Sequence, residues 1–211
     1  MRFNSLFFAL IMSIASVCFS APKPAVVQAP DDWTLDVKYE NPSQIMVKLP
    51  GQKTPTRFWY IILSLTNKSA MDVDFYPKCE LMTDTFQIIP SGKQVPDVVF
   101  SQIKLRYQSA YPFLEWVEKS ENKILQGDDN ARDIAIIWPD FDLKAKNVSF
   151  FISGLSNETA LLHLPSTKNA DGSDATVFLR KTLSLEYSIA GDPAFRTDAK
   201  LALKTKNWIM R

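Results

Sequence analysis

The sequence has little of what most enzymes use for catalysis, because its 211 residues include one histidine and two cysteines. His163 lies in the apolar run Leu161–Leu164, and no second histidine exists to complete a paired metal site. No Gly-x-Ser-x-Gly elbow and no glycine-rich phosphate loop is present. Cys79 and His163 are the one conceivable thiol pair. The sequence therefore predicts a protein that is not an enzyme and has no cofactor. A hydrolase built from two carboxylates stays open.

An excess of charge of either sign is also lacking. The chain carries 24 basic and 23 acidic residues. Loss of residues 1–20 would remove Arg2 alone among these, and would leave 23 of each sign. Proteins that bind nucleic acids usually concentrate basic residues on one face, because phosphate neutralisation drives their affinity. The lysines and arginines here are scattered, so the sequence predicts no nucleic-acid partner.

Long apolar runs are absent beyond the first residues. Arg2 precedes the apolar run Leu6–Phe19, which is shorter than the ~20 residues of a membrane span. The small residues Ser20 and Ala21 follow it. This layout predicts a signal peptide over residues 1–20. An uncleaved anchor and a lipoprotein processed at Cys18 are the alternatives. We expect no transmembrane segment after cleavage, and a periplasmic or extracellular location.

Disulfides are excluded by the same cleavage. Cys18 would leave with the signal peptide, so Cys79 would be the only thiol and no intramolecular disulfide could form. An exported chain without disulfides is more typical of a bacterial envelope than of eukaryotic secretion. Its stability would depend on its hydrophobic core.

The patterning that is present is that of β-strands. Residues 21–32 contain three prolines and predict an extended lead-in. From Trp33 onwards apolar and polar residues alternate, which is the period of a half-buried strand. Phe58–Leu65 is apolar on both faces and predicts a central strand. The six glycines all fall between apolar segments. Further strands are predicted near 72–83, 85–89, 133–138, 147–153, 158–164, 176–189 and 199–209.

One segment breaks the β pattern. Asp97 is a favourable helix N-cap, and Val99 and Ile103 follow at helical spacing. The spacing predicts a short helix, with a strand as the competing interpretation, and another helical turn near Trp116. The sequence thus predicts a helical insert near 97–118.

Two long strands predict the end of the fold. The apolar residues of 176–189 share one parity, and 199–209 returns after the turn at Gly191, as in an antiparallel hairpin. Lys181 interrupts the apolar face and indicates a bulge or an edge. Together these patterns predict an all-β protein, an antiparallel immunoglobulin-like β-sandwich over residues 33–211. Residues 33–90 and 133–211 would form its two halves.

The stretch Ile137–Asp142 most resembles a binding site. An extended chain would place Trp138, Asp140 and Asp142 on one side, where an indole and two carboxylates suit a sugar. Pro139 argues against this geometry, because proline cannot donate to a sheet ladder and usually ends a strand. A strand end followed by a turn is therefore the favoured interpretation.

Acidic loops and one tryptophan supply the other candidates. Asp128, Asp129 and Asp133 offer oxygen ligands for calcium, although their spacing matches no known loop. Residues 169–174 resemble part of a calcium loop, but the Asp171–Gly172 pair favours a hairpin turn. Among the five tryptophans, Trp116 is expected to be the exposed one.

The segments KILQGDDNARDIAIIWPDFDLKAKNVSFFISGLSNET and FLRKTLSLEYSI resemble a family of uncharacterised exported bacterial proteins of planctomycete-like genomes. The resemblance covers roughly residues 57–211. It implies an all-β protein of the envelope and carries no activity and no site residues.

The sequence thus favours an exported, non-catalytic β-sandwich with a structural or interaction role in the bacterial cell envelope. Its partner would be an envelope protein or a polysaccharide. The alternative is a glycan- or calcium-binding envelope domain that uses the tryptophans and acids named above. The oligomeric state is left open by the sequence.

Overall fold

The computed structural model describes residues 25–27, 29–191, 196 and 199–211. The expected signal peptide lies outside the described residues. Strands dominate, as the alternation predicts. The strands are β1 (Ala25–Val27), β2 (Asp36–Tyr39), β3 (Ser43–Val47), β4 (Thr56–Thr66), β5 (Val73–Asp74), β6 (Lys78–Thr83), β7 (Ile88–Pro90), β8 (Glu115–Trp116), β9 (Lys123–Ile124), β10 (Arg132–Pro139), β11 (Asn147–Ser153), β12 (Thr159–Lys168), β13 (Asp174–Ala190) and β14 (Lys200–Met210). The helix α1 is Asp97–Tyr107, and short 3-10 turns are Val117–Lys119 and Asp128–Asn130.

Two packed sheets form the sandwich. The larger has the order β1-β12-β13-β11-β6-β7, with β14 also paired to β13. The smaller has the order β2-β4-β10-β8, with β3 also paired to β4. All pairings in them are antiparallel except that of β10 with β8. The predicted all-β antiparallel sandwich is confirmed, and its immunoglobulin-like character stays an interpretation.

The halves suggested by the sequence interleave in space. β6 and β7 come from the first half and pair in the sheet of β11 and β13. β10 comes from the second half and lies between β4 and β8. The expectation that residues 33–90 and 133–211 form separate halves is therefore wrong. Sheet pairing joins strands that are distant along the chain, and β4 and β10 each contain a continuous run of at least five buried residues.

Aromatic rings connect the two sheets. Trp138 of β10 lies 5.1 Å from Phe150 of β11, centroid to centroid, and Phe150 lies 5.9 Å from Tyr187 of β13. All three side chains are fully buried. Rings at such separations add about 0.5–1.5 kcal/mol per pair to the gain from burial.

The central strand β4 is buried on both faces because different layers cover it. Its Trp59 pairs across the sheet with Trp138, on the face towards the larger sheet. Its Tyr60 faces the helix instead, and lies 6.0 Å from the Tyr107 ring of α1. This explains the apolar run on both parities of Phe58–Leu65.

The helix confirms the prediction made from spacing. Val99 and Ile103 are fully buried, as the spacing predicts. The predicted N-cap is wrong, because Asp97 is the first helical residue and Pro96 occupies the cap position without a side-chain cap hydrogen bond. Among the described residues no helix has the length and apolar character that crossing a membrane requires.

The strand β13 changes partner along its length. Its first half pairs with β12, and its second half pairs with β11 on the same edge and with β14 on the other. The predicted hairpin of β13 with β14 is thus confirmed. Lys181 lies where the partner changes from β12 to β11, and its N–H donates to the Glu158 carbonyl at 3.0 Å. The register shift between β13 and β14 falls further on, between Glu186 and Tyr187.

The hairpin of β12 with the first half of β13 extends past the sandwich as an arm. We call residues 159–180 the β-arm. Most of its side chains are exposed or partly exposed, because the smaller sheet does not reach it. On the opposite edge of β12, Ala25–Val27 pairs with Thr159–Leu161. Part of the lead-in predicted over residues 21–32 is therefore a strand.

Candidate functional site

A cavity of about 310 Å3 opens where β11 passes into β12. It is lined by two aromatic residues and by polar and charged residues from distant parts of the chain. These are Trp33, Asp74, Tyr76, Gly154, Ser156, Asn157, Thr159 and Arg180. We call this site the end cavity.

The alternation of Val73–Tyr76 places Tyr76 at the end cavity. Val73 and Phe75 point into the core, whereas Tyr76 is 62% exposed. The Phe75 N–H donates to the Asn122 carbonyl at 2.9 Å and anchors the segment. Gly154, with φ +84°, lies so close that a Cβ there would be 2.5 Å from the Tyr76 carbonyl oxygen. Only glycine fits this approach.

Hydrogen bonds fasten Trp33 to the loop on the other side of the cavity. The Trp33 N–H donates to Asn157 Oδ1 at 2.7 Å. The Trp33 carbonyl accepts from the Ser156 hydroxyl at 2.8 Å and from the Asn157 N–H at 3.2 Å. Because both of its main-chain groups are held, the backbone of Trp33 is fixed beside the cavity.

An ion pair lies beside the cavity and ties the same segments together. Lys181 Nζ lies 2.5 Å from Glu158 Oε1, and both side chains are largely shielded from solvent. The Thr34 hydroxyl donates to the same carboxylate at 2.8 Å. The hydrogen bond from Lys181, followed by that from Thr34, lowers the pKa of Glu158 against the opposing effect of burial.

Arg180 supplies the positive charge of the cavity. Its backbone is fixed, because its N–H and carbonyl bond to Arg211 at 2.9 and 3.1 Å. Its side chain is exposed, and none of the ion pairs among the described residues includes it. Its guanidinium therefore keeps its donors for an external group.

The end cavity has the chemistry of a binding site for a polar, ring-shaped molecule. The side chains of Trp33 and Tyr76 offer apolar faces with polar tips. Asp74 and Arg180 offer a carboxylate and a guanidinium for hydroxyl groups, whereas the Asn157 amide already accepts from the Trp33 N–H and donates to the Asp31 carbonyl. A few directional polar groups on an aromatic lining are typical of small-molecule sites.

The tryptophans predicted as ligand platforms lie elsewhere. Trp138 has 0% exposure, so its indole has no face to offer a sugar. Trp116, expected to be exposed, is 6% exposed, and this expectation is wrong. Trp116 stacks on Phe100 of α1 with centroids 5.9 Å apart, and the Lys119 ammonium lies 5.2 Å from its ring centre. Packing between helix and sheet thus covers it.

The carboxylates that follow Trp138 stabilise their own surroundings. Asp140 accepts from the Trp59 indole N–H at 2.8 Å and pairs with Arg57 at 3.2 Å. Asp142 accepts from the Lys144 N–H at 2.9 Å, which lowers the pKa of Asp142. This is the turn geometry favoured by Pro139.

The acidic loops are not assembled into a cage. Asp128 and Asp129 are exposed in their 3-10 turn, while Asp133 accepts from the Ser64 hydroxyl at 2.5 Å. Asp171 accepts from the Ser173 N–H at 2.9 Å, as a turn residue does. Gly172 has φ +84°, which confirms the predicted hairpin turn. Within the described ranges no group of three or more His, Cys, Asp and Glu residues could hold a metal ion.

Cys79 and His163 do not share a surface. Cys79 is buried in β6, and burial raises the pKa of its thiol. His163 is exposed on the β-arm, with Nδ1 3.3 Å from the Thr176 hydroxyl. A buried neutral thiol is inert, because the thiolate is the nucleophile.

The sequence does not predict the residues of the end cavity. The strand predicted over 72–83 does not separate Asp74 and Tyr76 from the core parity, and Trp33 stands only as the start of an alternating strand. Arg180 lies on the polar parity of the strand predicted over 176–189. The available signal was the pairing of an aromatic residue with an acid on the polar parity of Val73–Tyr76.

The chain matches no family model, no curated protein and no solved structure.

Proposed function

We propose that this protein is an exported, non-catalytic interaction module of the bacterial cell envelope, and that it binds a glycan in the end cavity. One observation carries the proposal: Trp33 and Tyr76 meet Asp74, Asn157 and Arg180 around a cavity of about 310 Å3. A volume of this size lies at the lower end of the range for small-molecule sites and suits one or two sugar rings.

The rings would contact the apolar faces of a sugar, while the Asp74 carboxylate and the Arg180 guanidinium would bind its hydroxyl groups. Arg180 would also pair with an acidic substituent, because guanidinium and carboxylate match in bidentate geometry. The site carries no histidine and no thiol, so its groups suit recognition. Calcium binding is less favoured, since Asp140, Asp142 and Asp133 already accept hydrogen bonds within the protein.

The location is part of the same proposal. It is supported by the apolar run Leu6–Phe19 and the small residues Ser20 and Ala21. Expression of the full chain in a bacterium, fractionation and N-terminal sequencing test it. We expect a form that begins at Ala21 in the periplasm or the medium. A full-length form retained in the cytoplasm would contradict the export.

Binding is tested with purified protein against peptidoglycan and extracted envelope polysaccharides, neutral and acidic. We expect at least one of them to raise the melting temperature, since a ligand that binds only the folded state stabilises it. Tyr76→Ala should abolish the rise, and Tyr76→Phe should keep most of it because the ring remains. Phe86→Ala is the matched control.

Phe86 is an exposed aromatic residue at the other end of β11. Asp84, two residues before Phe86, is hydrogen-bonded to the first residue of β11, whereas Gly154 follows the last residue of that strand. The seven residues of β11 separate the two sites by roughly 20 Å at about 3.3 Å per residue. No shift with any polysaccharide, or an equal shift in wild type and Tyr76→Ala, would overturn glycan binding at this cavity. Hydrolysis of a glycoside or ester panel at enzymatic rates would overturn the non-catalytic role.

A further inference from the structure

The two outer edges of the β-arm differ in how they are protected. An exposed strand edge presents unpaired N–H and C=O groups to other chains, and natural proteins block such edges with proline, lysine, bulges or a covering strand. The outer edge of β12 has several of these protective features. The outer edge of β13 has none of them within the β-arm.

On β12, the strand β1 pairs with Thr159–Leu161. Pro165 has the same parity as Leu161 and so occupies the same edge, where it has no N–H to offer. The register against β13 shifts between Leu164 and Lys168, which distorts the edge further. This side of the arm is closed to an added strand.

On β13, the backbone of Arg180 bonds to Arg211, and β14 pairs onwards from Lys181. Thr176 and Phe178 have the parity of Arg180, so their N–H and C=O groups point to the same edge. No strand among the described residues pairs with that edge from 174 to 179. The sequence Asp174–Leu179 contains no proline and no lysine there. Within the part of the chain that the structure describes, this edge is open and continues the line of β14.

The face beside this edge is basic. A groove of about 450 Å3 is lined by Lys78, Glu80, Phe151, Ser153, Phe178, Arg180, Thr182 and Arg211. Lys78 and Arg211 both pair with Glu80, at 2.9 and 2.6 Å, so three cations face one carboxylate. Their hydrogen bonds, that from Lys78 first, lower the pKa of Glu80. Phe178 is 68% exposed and adds an apolar surface.

We propose that the free edge of β13 binds an extended acidic peptide segment of a partner protein, which adds a strand to the larger sheet in line with β14. Main-chain hydrogen bonds to Thr176 and Phe178 would hold the peptide. Acidic side chains at alternate positions would lie on the face of Arg180 and the groove. The contact does not depend on the end cavity, except that Arg180 lines both sites.

The probe is a fluorescein-labelled peptide of eight residues that alternates valine and glutamate, measured by fluorescence anisotropy with the purified protein. We expect saturable binding that weakens with salt. The same peptide with N-methyl groups on every residue has no N–H to donate to the edge, and its affinity should fall at least tenfold. A valine–lysine peptide should not bind.

Two substitutions at Thr176 distinguish loss of the N–H group at the edge from loss of folding. Thr176→Pro removes the outward N–H on a strand edge, where proline is tolerated, and should lose binding of the valine–glutamate peptide at least tenfold. Thr176→Val keeps the N–H and should bind like wild type. Circular dichroism and the unfolding midpoint check that both variants fold.

The proposal would be overturned if the peptide did not bind, or if the N-methylated peptide bound equally well. Equal binding of the N-methylated peptide can be measured without any protein variant, and it would mean that charge alone holds the peptide. Dimerisation in sedimentation velocity that Thr176→Pro abolishes would assign the edge to a second copy, and would also overturn it. Tyr76→Ala should leave peptide binding unchanged, which separates this outcome from that of glycan binding.

Discussion

Replacement of Asp140 by alanine should destabilise the protein strongly, although the sequence offers Asp140 as a surface ligand for a glycan. Its carboxylate accepts from the indole N–H of Trp59 at 2.8 Å, and Trp59 is 1% exposed. It also pairs with Arg57 at 3.2 Å, and the two side chains are 12% and 28% exposed. The role that the structure gives Asp140 is therefore support of the core.

The magnitude follows from these two contacts. A buried donor left without its acceptor costs about 1–3 kcal/mol. The ion pair with Arg57 adds about 1 kcal/mol, because solvent still screens it in part. We expect Asp140→Ala to lower the free energy of unfolding by about 2–4 kcal/mol. Asp140→Asn keeps an oxygen acceptor for Trp59 and should cost about 1 kcal/mol.

Urea unfolding followed by tryptophan fluorescence measures these differences. With an m-value of about 2.5 kcal/mol per molar urea, the midpoint of Asp140→Ala should fall by roughly 1–1.5 M. Asp129→Ala is the control, since Asp129 is exposed in its 3-10 turn and should shift stability by no more than about 0.5 kcal/mol. Equal midpoints for Asp140→Ala and Asp129→Ala would refute the supporting role and return Asp140 to the surface as a ligand candidate.

Two further predictions concern the loop at the end cavity. Gly154 and Gly172 both have φ +84°, but an added Cβ meets the Tyr76 carbonyl oxygen only at Gly154. Gly172→Ala should lower the free energy of unfolding by about 1–2 kcal/mol because of the left-handed backbone, and Gly154→Ala should lower it clearly more. Urea unfolding measures both, and equal losses would mean that the loop does not press against Tyr76. The second prediction concerns the ion pair of Glu158 with Lys181, which lowers the pKa of Glu158 in the folded protein. The pair therefore stabilises the fold above the unfolded pKa of about 4.3, and this stabilisation is lost as the pH falls through the lower pKa of the folded state. The stability gap between wild type and Glu158→Gln should therefore narrow from pH 7 to about pH 3, and a gap that is constant with pH would contradict the coupling. Glu121→Gln, at an exposed side chain, is the control variant.

The sequence predicts the strands well because alternation reports burial directly. Phe58–Leu65 is apolar on both parities, and β4 is covered on both faces. The helix is identified for the same reason, since Val99 and Ile103 are the buried residues of α1. Pairing between distant strands leaves no comparable local signal. The position of β10 between β4 and β8 could therefore not be predicted.

The extent of the core is a second limit. Val177 has the parity of the buried Leu183, Leu185 and Tyr187, yet it is 40% exposed. Parity predicts which face of β13 a side chain occupies, but the smaller sheet ends before the β-arm begins. The length of an opposing layer is a property of the whole fold, so it cannot be inferred from one strand.

The candidate site shows most clearly what local sequence can and cannot distinguish. Trp138 and Tyr76 each follow an apolar residue and precede a proline, yet one is fully buried and the other is 62% exposed. Their difference lies in the residue two positions earlier on the same parity. Ile136 precedes Trp138 and is buried with it, whereas Asp74 precedes Tyr76 and is exposed with it. An aromatic residue that follows an acid of the same parity within one strand is expected to face solvent, because the core would otherwise have to take up the carboxylate. This rule identifies Tyr76 as a surface residue from sequence. That Arg180 and Asn157 also line the cavity beside Tyr76 depends on the packing of distant segments, of which the close approach of Gly154 to the Tyr76 backbone is one part.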